Sequence, residues 1–387
     1  MKYRLGDICE YAKGKVDVAT IDTDTYISTE NMLPNKGGIT RASSLPTTAQ
    51  TQSFKSGDIL VSNIRPYFKK IWFADFDGGC SNDVLVFRAK QNISKRFLYY
   101  VLADDAFFAY SMATSKGTKM PRGDKTSIME YKVPNFTYEQ QEKIAGILEI
   151  LDKRIQLNSK INENLEQQAQ NIYRSWFINY EPFGGIRPAE WIDGTVDDLG
   201  AEVICGKTPS TKKTEYYGGH TPFITIPDMH GCVYIVRTER YLSEAGVASQ
   251  PKKSLPPNTV CVSCIGTAGL VTLVSEESQT NQQINSILPK EGSSAYYIYL
   301  LMQTLSETIN KLGQGGSTIV NLNKKQFGKI QVMIPSKRVL QEFDFLCRPL
   351  FVTILSNQKE NIRLSELRET LLPRLMSGEL DVSELEI

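Results

Sequence analysis

The chain has 387 residues, 41% hydrophobic and 22% charged, enough to bury two ordinary cores and too apolar for disorder. Lysine plus arginine number 44 against 43 acids, a formal +1, so any binding of nucleic acid has to rest on local field and not on net charge. No apolar run approaches the ~18 residues of a transmembrane helix, and Met1-Lys2-Tyr3-Arg4 leads into Leu5-Gly6-Asp7 without a signal-peptide core, so a cytoplasmic location with no membrane partner is expected.

Taken in order, residues 1–135 read as a β-rich domain with short apolar runs such as Ile59-Leu60-Val61, broken by glycine-bearing basic loops. Residues 136–180 read as a long helix. Its apolar positions, Ile144, Leu148, Leu151, Ile155, Leu165, Ala169, Ile172 and Trp176, alternate in steps of four and three, and Asn158 and Asn162 interrupt them. Residues 181–335 form a second β-rich domain, and residues 336–387 a second long helix with a tail. That helix repeats the first at an offset of 199 (343 minus 144): Phe343, Cys347, Leu350, Ile354, Asn357, Asn361, Leu364, Arg368, Leu371 and Leu375.

Both asparagines recur in register, and the repetition extends outside the helices. Lys13-Gly14-Lys15, Tyr26-Ile27, Asp58-Ile59-Leu60-Val61-Ser62, Asn82 and Lys116-Gly117 have partners in Gly206-Lys207, Phe223-Ile224, Thr259-Val260-Cys261-Val262-Ser263, Asn281 and Gln314-Gly315. The offsets run from 192 (Lys15 to Lys207) to 201 (Asp58 to Thr259). The chain is therefore read as a tandem duplication of a β-rich domain followed by a long helix, an α+β fold.

Catalytic signatures are absent: no phosphate loop, no dinucleotide fingerprint, no nucleophile elbow, and no Asn-Pro-Pro-Tyr of the adenine methyltransferases. Seven scattered cysteines, an odd number, suit a reducing compartment. Cys261 and Cys264 form a lone C-x-x-C whose repeat mates, Leu60 and Asn63, are not thiols, so no metal is expected. His220 and His230 read as polar loop residues.

The loops carry the nucleic-acid chemistry. The stretch from Gly206 to His220 mixes Lys207, Lys212 and Lys213 with Thr208, Ser210, Tyr216 and Tyr217, and reads as too rich in breakers for helix or strand. In the first domain Arg65, Tyr67, Lys69 and Lys70, then Lys116, Lys119 and Arg122, have the same character, with Lys15 at the site equivalent to Lys207. Thr267, Gln314, Ser317 and His220 complete the expected DNA face. A two-domain DNA-binding regulator and a bare coiled-coil scaffold are the competing readings, although no helix-turn-helix or zinc module is visible.

These residues resemble the specificity subunits of Type I restriction-modification systems over essentially the whole chain. The similarity is carried by Gly206-Lys207-Thr208-Pro209-Ser210-Thr211, Tyr216-Tyr217-Gly218-Gly219, Asn281-Gln282-Gln283-Ile284-Asn285, Glu139-Gln140-Gln141-Glu142-Lys143-Ile144-Ala145 and Leu371-Leu372-Pro373-Arg374-Leu375-Met376-Ser377-Gly378-Glu379. The first domain departs from it, being shorter between Lys15 and Tyr26 and lacking Tyr-Tyr-Gly-Gly. The resemblance implies a non-catalytic reader of double-stranded DNA, with two target-recognition domains for the two halves of an asymmetric site. It also implies that the helices dock two methyltransferase subunits. S-adenosylmethionine would sit in those partners and this chain would hold no cofactor. Whether nuclease subunits, with their ATP and magnesium, join the complex stays open. The outer helix faces, carrying Lys153, Arg154, Lys160, Lys359 and Arg363, are the expected docking surfaces.

Register follows from the asparagines. The two seams are symmetric about Lys160 and Lys359, so an antiparallel pairing sets Asn158 against Asn361 and Asn162 against Asn357. Such a pairing would put the two domains at opposite ends of a rod of roughly 50 Å, longer than the ~34 Å of one DNA turn.

Overall fold

The computed structural model describes residues 2–314 and 320–383. These form two compact units, one from Met1–Arg154 with Arg363–Ile387 and one from Ile155–Ile362. Both long helices, Tyr138–Phe177 and Lys337–Ser377, contribute to both units. Among the described residues no helix is long and apolar enough to cross a membrane.

In the first unit the central sheet runs in the order Cys9–Tyr11, Val84–Ala89, Ile59–Ser62, Ile71–Phe73. Ile59–Ser62 is buried throughout, which is why it reads as a continuous apolar run without alternation. A second sheet pairs Lys15–Asp17, Gln50–Phe54, Gly78–Cys80 and Tyr26–Ile27, the last two parallel. The second unit repeats the plan. Gly200–Cys205, Ile284–Pro289, Val260–Ser263 and Val271–Val274 take the same order, extended by Tyr234–Ile235. The parallel pair recurs as Tyr217–Ile224 with Gln279–Thr280. Equivalent serines cap equivalent helices: Ser94 accepts from the Phe97 amide and Ser294 from the Tyr297 amide. Gln358 of the second long helix hydrogen-bonds both the amide and the carbonyl of Tyr234, closing an open sheet edge.

The helices pack antiparallel within each unit. In the second unit Asn158 donates to Asn361 Oδ1 at 2.9 Å and Asn357 donates to Asn162 Oδ1 at 2.9 Å, the register expected from the sequence. Asn158 also donates to Glu360, at 2.8 Å. In the first unit Arg368 reaches Asp152 at 2.6 Å.

The helices also pack outside the heptad positions, where Tyr173, Phe177 and Phe351 are buried against Tyr296, Tyr297 and Tyr299 of the domain helix Ala295–Thr304. Arg368, in the repeat position of Ala169, enters the half-buried interior as the partner of Asp152. One expectation needs correction: the Tyr217-Gly218-Gly219-His220 segment is a strand. Gly218 takes φ +81° at a break in register, and a Cβ on Gly219 would lie 2.4 Å from the Leu242 carbonyl, so the glycines let the neighbouring strand close in.

Candidate nucleic-acid interface

In the second unit one rim of the large sheet gathers three loop segments by backbone contact. The Lys207 amide donates to the Thr280 carbonyl at 2.9 Å, and the Cys264 amide to the Gln283 carbonyl at 2.8 Å. The Gly266 amide donates to Val320 at 2.9 Å, which ties the Gly266-Thr267 turn to the chain leaving helix Ser306–Gln314. Gly206 has to be glycine, since a Cβ there would sit 2.1 Å from the Asn281 carbonyl. Lys207, Thr208 and Thr267 are thereby brought beside Asn281, Gln282 and Gln283. Thr208 Oγ1 donates to Gln282 Oε1 at 2.7 Å, and Asn281 to Gln283 at 2.9 Å. Gln282 and Gln283, able to read adenine edges, were visible in the Asn-Gln-Gln-Ile-Asn run but carried no basic signal.

Lys213, Tyr216 and Tyr217 belong to the neighbouring strand and the turn before it. Lys213 Nζ donates to the Tyr216 hydroxyl at 2.9 Å and lies 4.9 Å from the ring centroid, a contact that raises its pKa. Tyr217 donates to the Pro209 carbonyl at 2.8 Å, closing the loop that exposes Ser210 and Lys212. His220 and Gln314 are exposed, and Ser317 lies outside the described residues. Cys261 and Cys264 belong to the core, where burial pushes both thiols up to about 12.

The first unit presents two basic areas. A groove of about 470 Å³ is lined by Lys13, Lys15, Gln50, Asn82 and Lys125 beside Tyr11. Of these, Lys15 was expected at the DNA face as the equivalent of Lys207, Lys13 and Asn82 were marked by the repeat alone, and Lys125 ends the basic 115–125 loop. The other area joins the 63–70 turn to the 116–122 hairpin. Arg65 N donates to the Pro121 carbonyl at 2.8 Å, and Lys116 and Arg122 exchange backbone bonds of 2.9 and 3.0 Å. Here most cations already hold a partner. Lys69 and Lys36 share Asp105 at 2.6 and 2.9 Å, Arg122 meets Asp83 at 3.1 Å, Lys116 pairs with Asp124, and Lys70 donates to the Thr29 carbonyl at 2.6 Å. Lys119 and Tyr67 are exposed.

Duplicated β-rich domains, each with basic and amide-bearing loops at a sheet rim and each joined to a long helix, are the architecture of a DNA-specificity subunit. The model of the Type I restriction modification DNA specificity domain matches residues 1–167 and 188–346, and the chain belongs to this family, whose members are the DNA-recognition subunits of Type I restriction enzymes. It is 33% identical to the Type I restriction enzyme HindI specificity subunit of Haemophilus influenzae, covering 98% of this chain and 99% of that protein. It is 25% identical to the MjaIX specificity subunit of Methanocaldococcus jannaschii, over 76% of this chain and 71% of that one. The fold is shared with the S subunit from M. genitalium, at a TM-score of 0.61 and 16% identity, with 97% and 96% of the two chains covered.

Proposed function

We propose that each unit reads one half of a two-part, asymmetric DNA target, and that the chain does so without chemistry of its own, presenting the site to two docked methyltransferase subunits. The observation that carries this reading is the combination of a repeated scaffold with unrepeated loops. The sheet order and the rim contacts recur, while the loop residues differ: the Tyr216-Tyr217-Gly218-Gly219 step has no match in the first copy, and the 63–70 turn carries Arg65 and Lys69 where its counterpart carries Gly266 and Gly269. A shared frame with different loops suits two different half-sites. The proposed DNA face comprises Lys207, Thr208, Lys212, Lys213, Tyr216 and Thr267 in the second unit, and Lys15, Arg65, Tyr67 and Lys119 in the first. Docking is supported by apolar side chains held out on the long helices: Phe345 is 79% exposed, Ile150 58% and Val352 56%.

The test is an exchange of residues 206 to 220 for the same loop of another specificity subunit, followed by sequencing of methylated adenines in cells that also express the methyltransferase subunits of its host. One half of the methylated site should change and the other should persist. A change in both halves, or in neither, would defeat the assignment of one half-site to each unit.

A further inference from the structure

The turn after the central strand follows the same path in both units but uses different residues. The Ser62 amide donates to the Lys70 carbonyl at 3.1 Å, and its counterpart Ser263 donates to Leu270 at 2.9 Å. Two positions inside each turn are left-handed. In the second unit these are Gly266 (φ +78°) and Gly269 (φ +87°), where glycine adopts the conformation without steric cost; in the first they are Arg65 and Lys69, both at φ 50°. Asn35 and Lys36, which bond the Phe68 and Lys69 carbonyls, are left-handed as well. Four of the seven non-glycine residues with positive φ among the described residues thus lie in this one cluster.

Three of the four have a local reason. Asparagine tolerates this conformation, and Lys36 and Lys69 hold Asp105 between them. Arg65 has no such reason. Its guanidinium makes no hydrogen bond or ion pair among the described residues, and its Nε is buried without an acceptor. Two residues back Asn63, 8% exposed, keeps a buried Oδ1 with no donor. Beside them Tyr67 and Phe68 stand 50% and 38% exposed with ring centroids 4.7 Å apart, and Met120 of the adjoining hairpin is 48% exposed. A strained arginine with unused donors, next to exposed flat side chains, is arranged for a base edge and not for the fold.

The geometry points to Arg65 as the residue that reads a guanine, through O6 and N7, in the half-site taken by the first unit. This rests on the two-half-site reading above. Because the second copy uses glycine at the equivalent position, Arg65→Gly removes the side chain without disturbing the turn, and the variant should melt at or above the temperature of the unchanged chain.

The experiment compares the methylomes of cells expressing the host methyltransferase subunits with the unchanged chain, Arg65→Gly or Arg65→Lys. Both variants should accept other bases at one G·C position of one half-site, which the unchanged protein favours by roughly tenfold or more, and should keep the other half-site. If methylation falls below detection, binding of the purified complex to duplexes with single G·C exchanges decides the question. Lost discrimination at one position supports the assignment. Equal weakening on every duplex, with the salt slope reduced by about one, would make Arg65 a phosphate contact and overturn it, as would an unchanged methylome. If the unchanged chain directs methylation to no two-part sequence, the parent reading fails independently of Arg65.

Discussion

Arg368 occupies a heptad position where the first helix has Ala169, and the side chain that makes this tolerable is Asp152. The two meet at 2.6 Å with 24% and 18% of their side chains exposed, and the Tyr100 hydroxyl donates to the other Asp152 oxygen at 2.8 Å. At the equivalent places the second unit has Ala169, Phe351 and Tyr299, with Phe351 edge-on to Tyr299 at 5.5 Å and stacked on Tyr296 at 4.4 Å. One copy thus fills with aromatic surface what the other fills with a charged pair. Arg368→Leu alone strands Asp152 in a half-buried site and should cost about 2–3 kcal/mol, below the 3–5 of a fully buried pair because water still reaches it. The triple change Tyr100→Phe, Asp152→Leu and Arg368→Leu removes every polar partner together and should recover at least half of that loss. Thermal unfolding of the full chain reads both numbers; a triple variant no more stable than the single one would show that the polar group holds a geometry that apolar packing cannot replace.

The long helices join a seam that is readable from sequence to contacts that are not. The Asn158–Asn361 and Asn162–Asn357 bonds were legible because a period of 3.5 residues and a repeated polar interruption fix both the face and the register. Tyr173, Phe177 and Phe351 were not, since their burial comes from a helix of the globular domain that no heptad pattern encodes. Asn158 is 1% exposed, so Asn361→Leu leaves its amide only Glu360 and should destabilise by about 1–2 kcal/mol. Asn158→Leu together with Asn361→Leu should restore most of that stability while removing a device that penalises slipped pairing. In the assembled methyltransferase the double variant should therefore accept targets whose spacer is one base pair longer or shorter. Unaltered spacer preference would show that register is set by the domain contacts and not by the amides.

At the scale of the whole molecule the charge balance and the site belong to one problem. The chain carries a formal +1, and the structure shows where the balance is made: Lys36, Lys69, Lys116 and Arg122 each sit on an acid of their own unit. Except for Lys116 and Asp124, which share one loop, those pairings were invisible in the sequence, because Asp105 and Asp83 are far from their partners along the chain; the loops read as more basic than they are. What was legible was position, since Lys15 and Lys207 recur at equivalent rims, whereas the groove containing Lys125 and the Gln282-Gln283 rim needed the folded chain. Exposed ion pairs are worth about 0–1 kcal/mol, so a phosphate can displace the acid cheaply, but the displaced carboxylate then remains near the DNA and reduces the gain. The isolated chain should accordingly bind its target weakly, with few phosphates neutralised and a shallow dependence of log affinity on log salt. The complex with methyltransferase subunits should bind far more tightly and steeply, because each added phosphate contact contributes a slope of about −0.9. Fluorescence anisotropy on the methylated site's duplex from low to physiological salt measures both slopes. Equal slopes for chain and complex would mean that this subunit alone supplies the phosphate contacts, and tight salt-insensitive binding by the chain alone would place its affinity in base contacts rather than in charge.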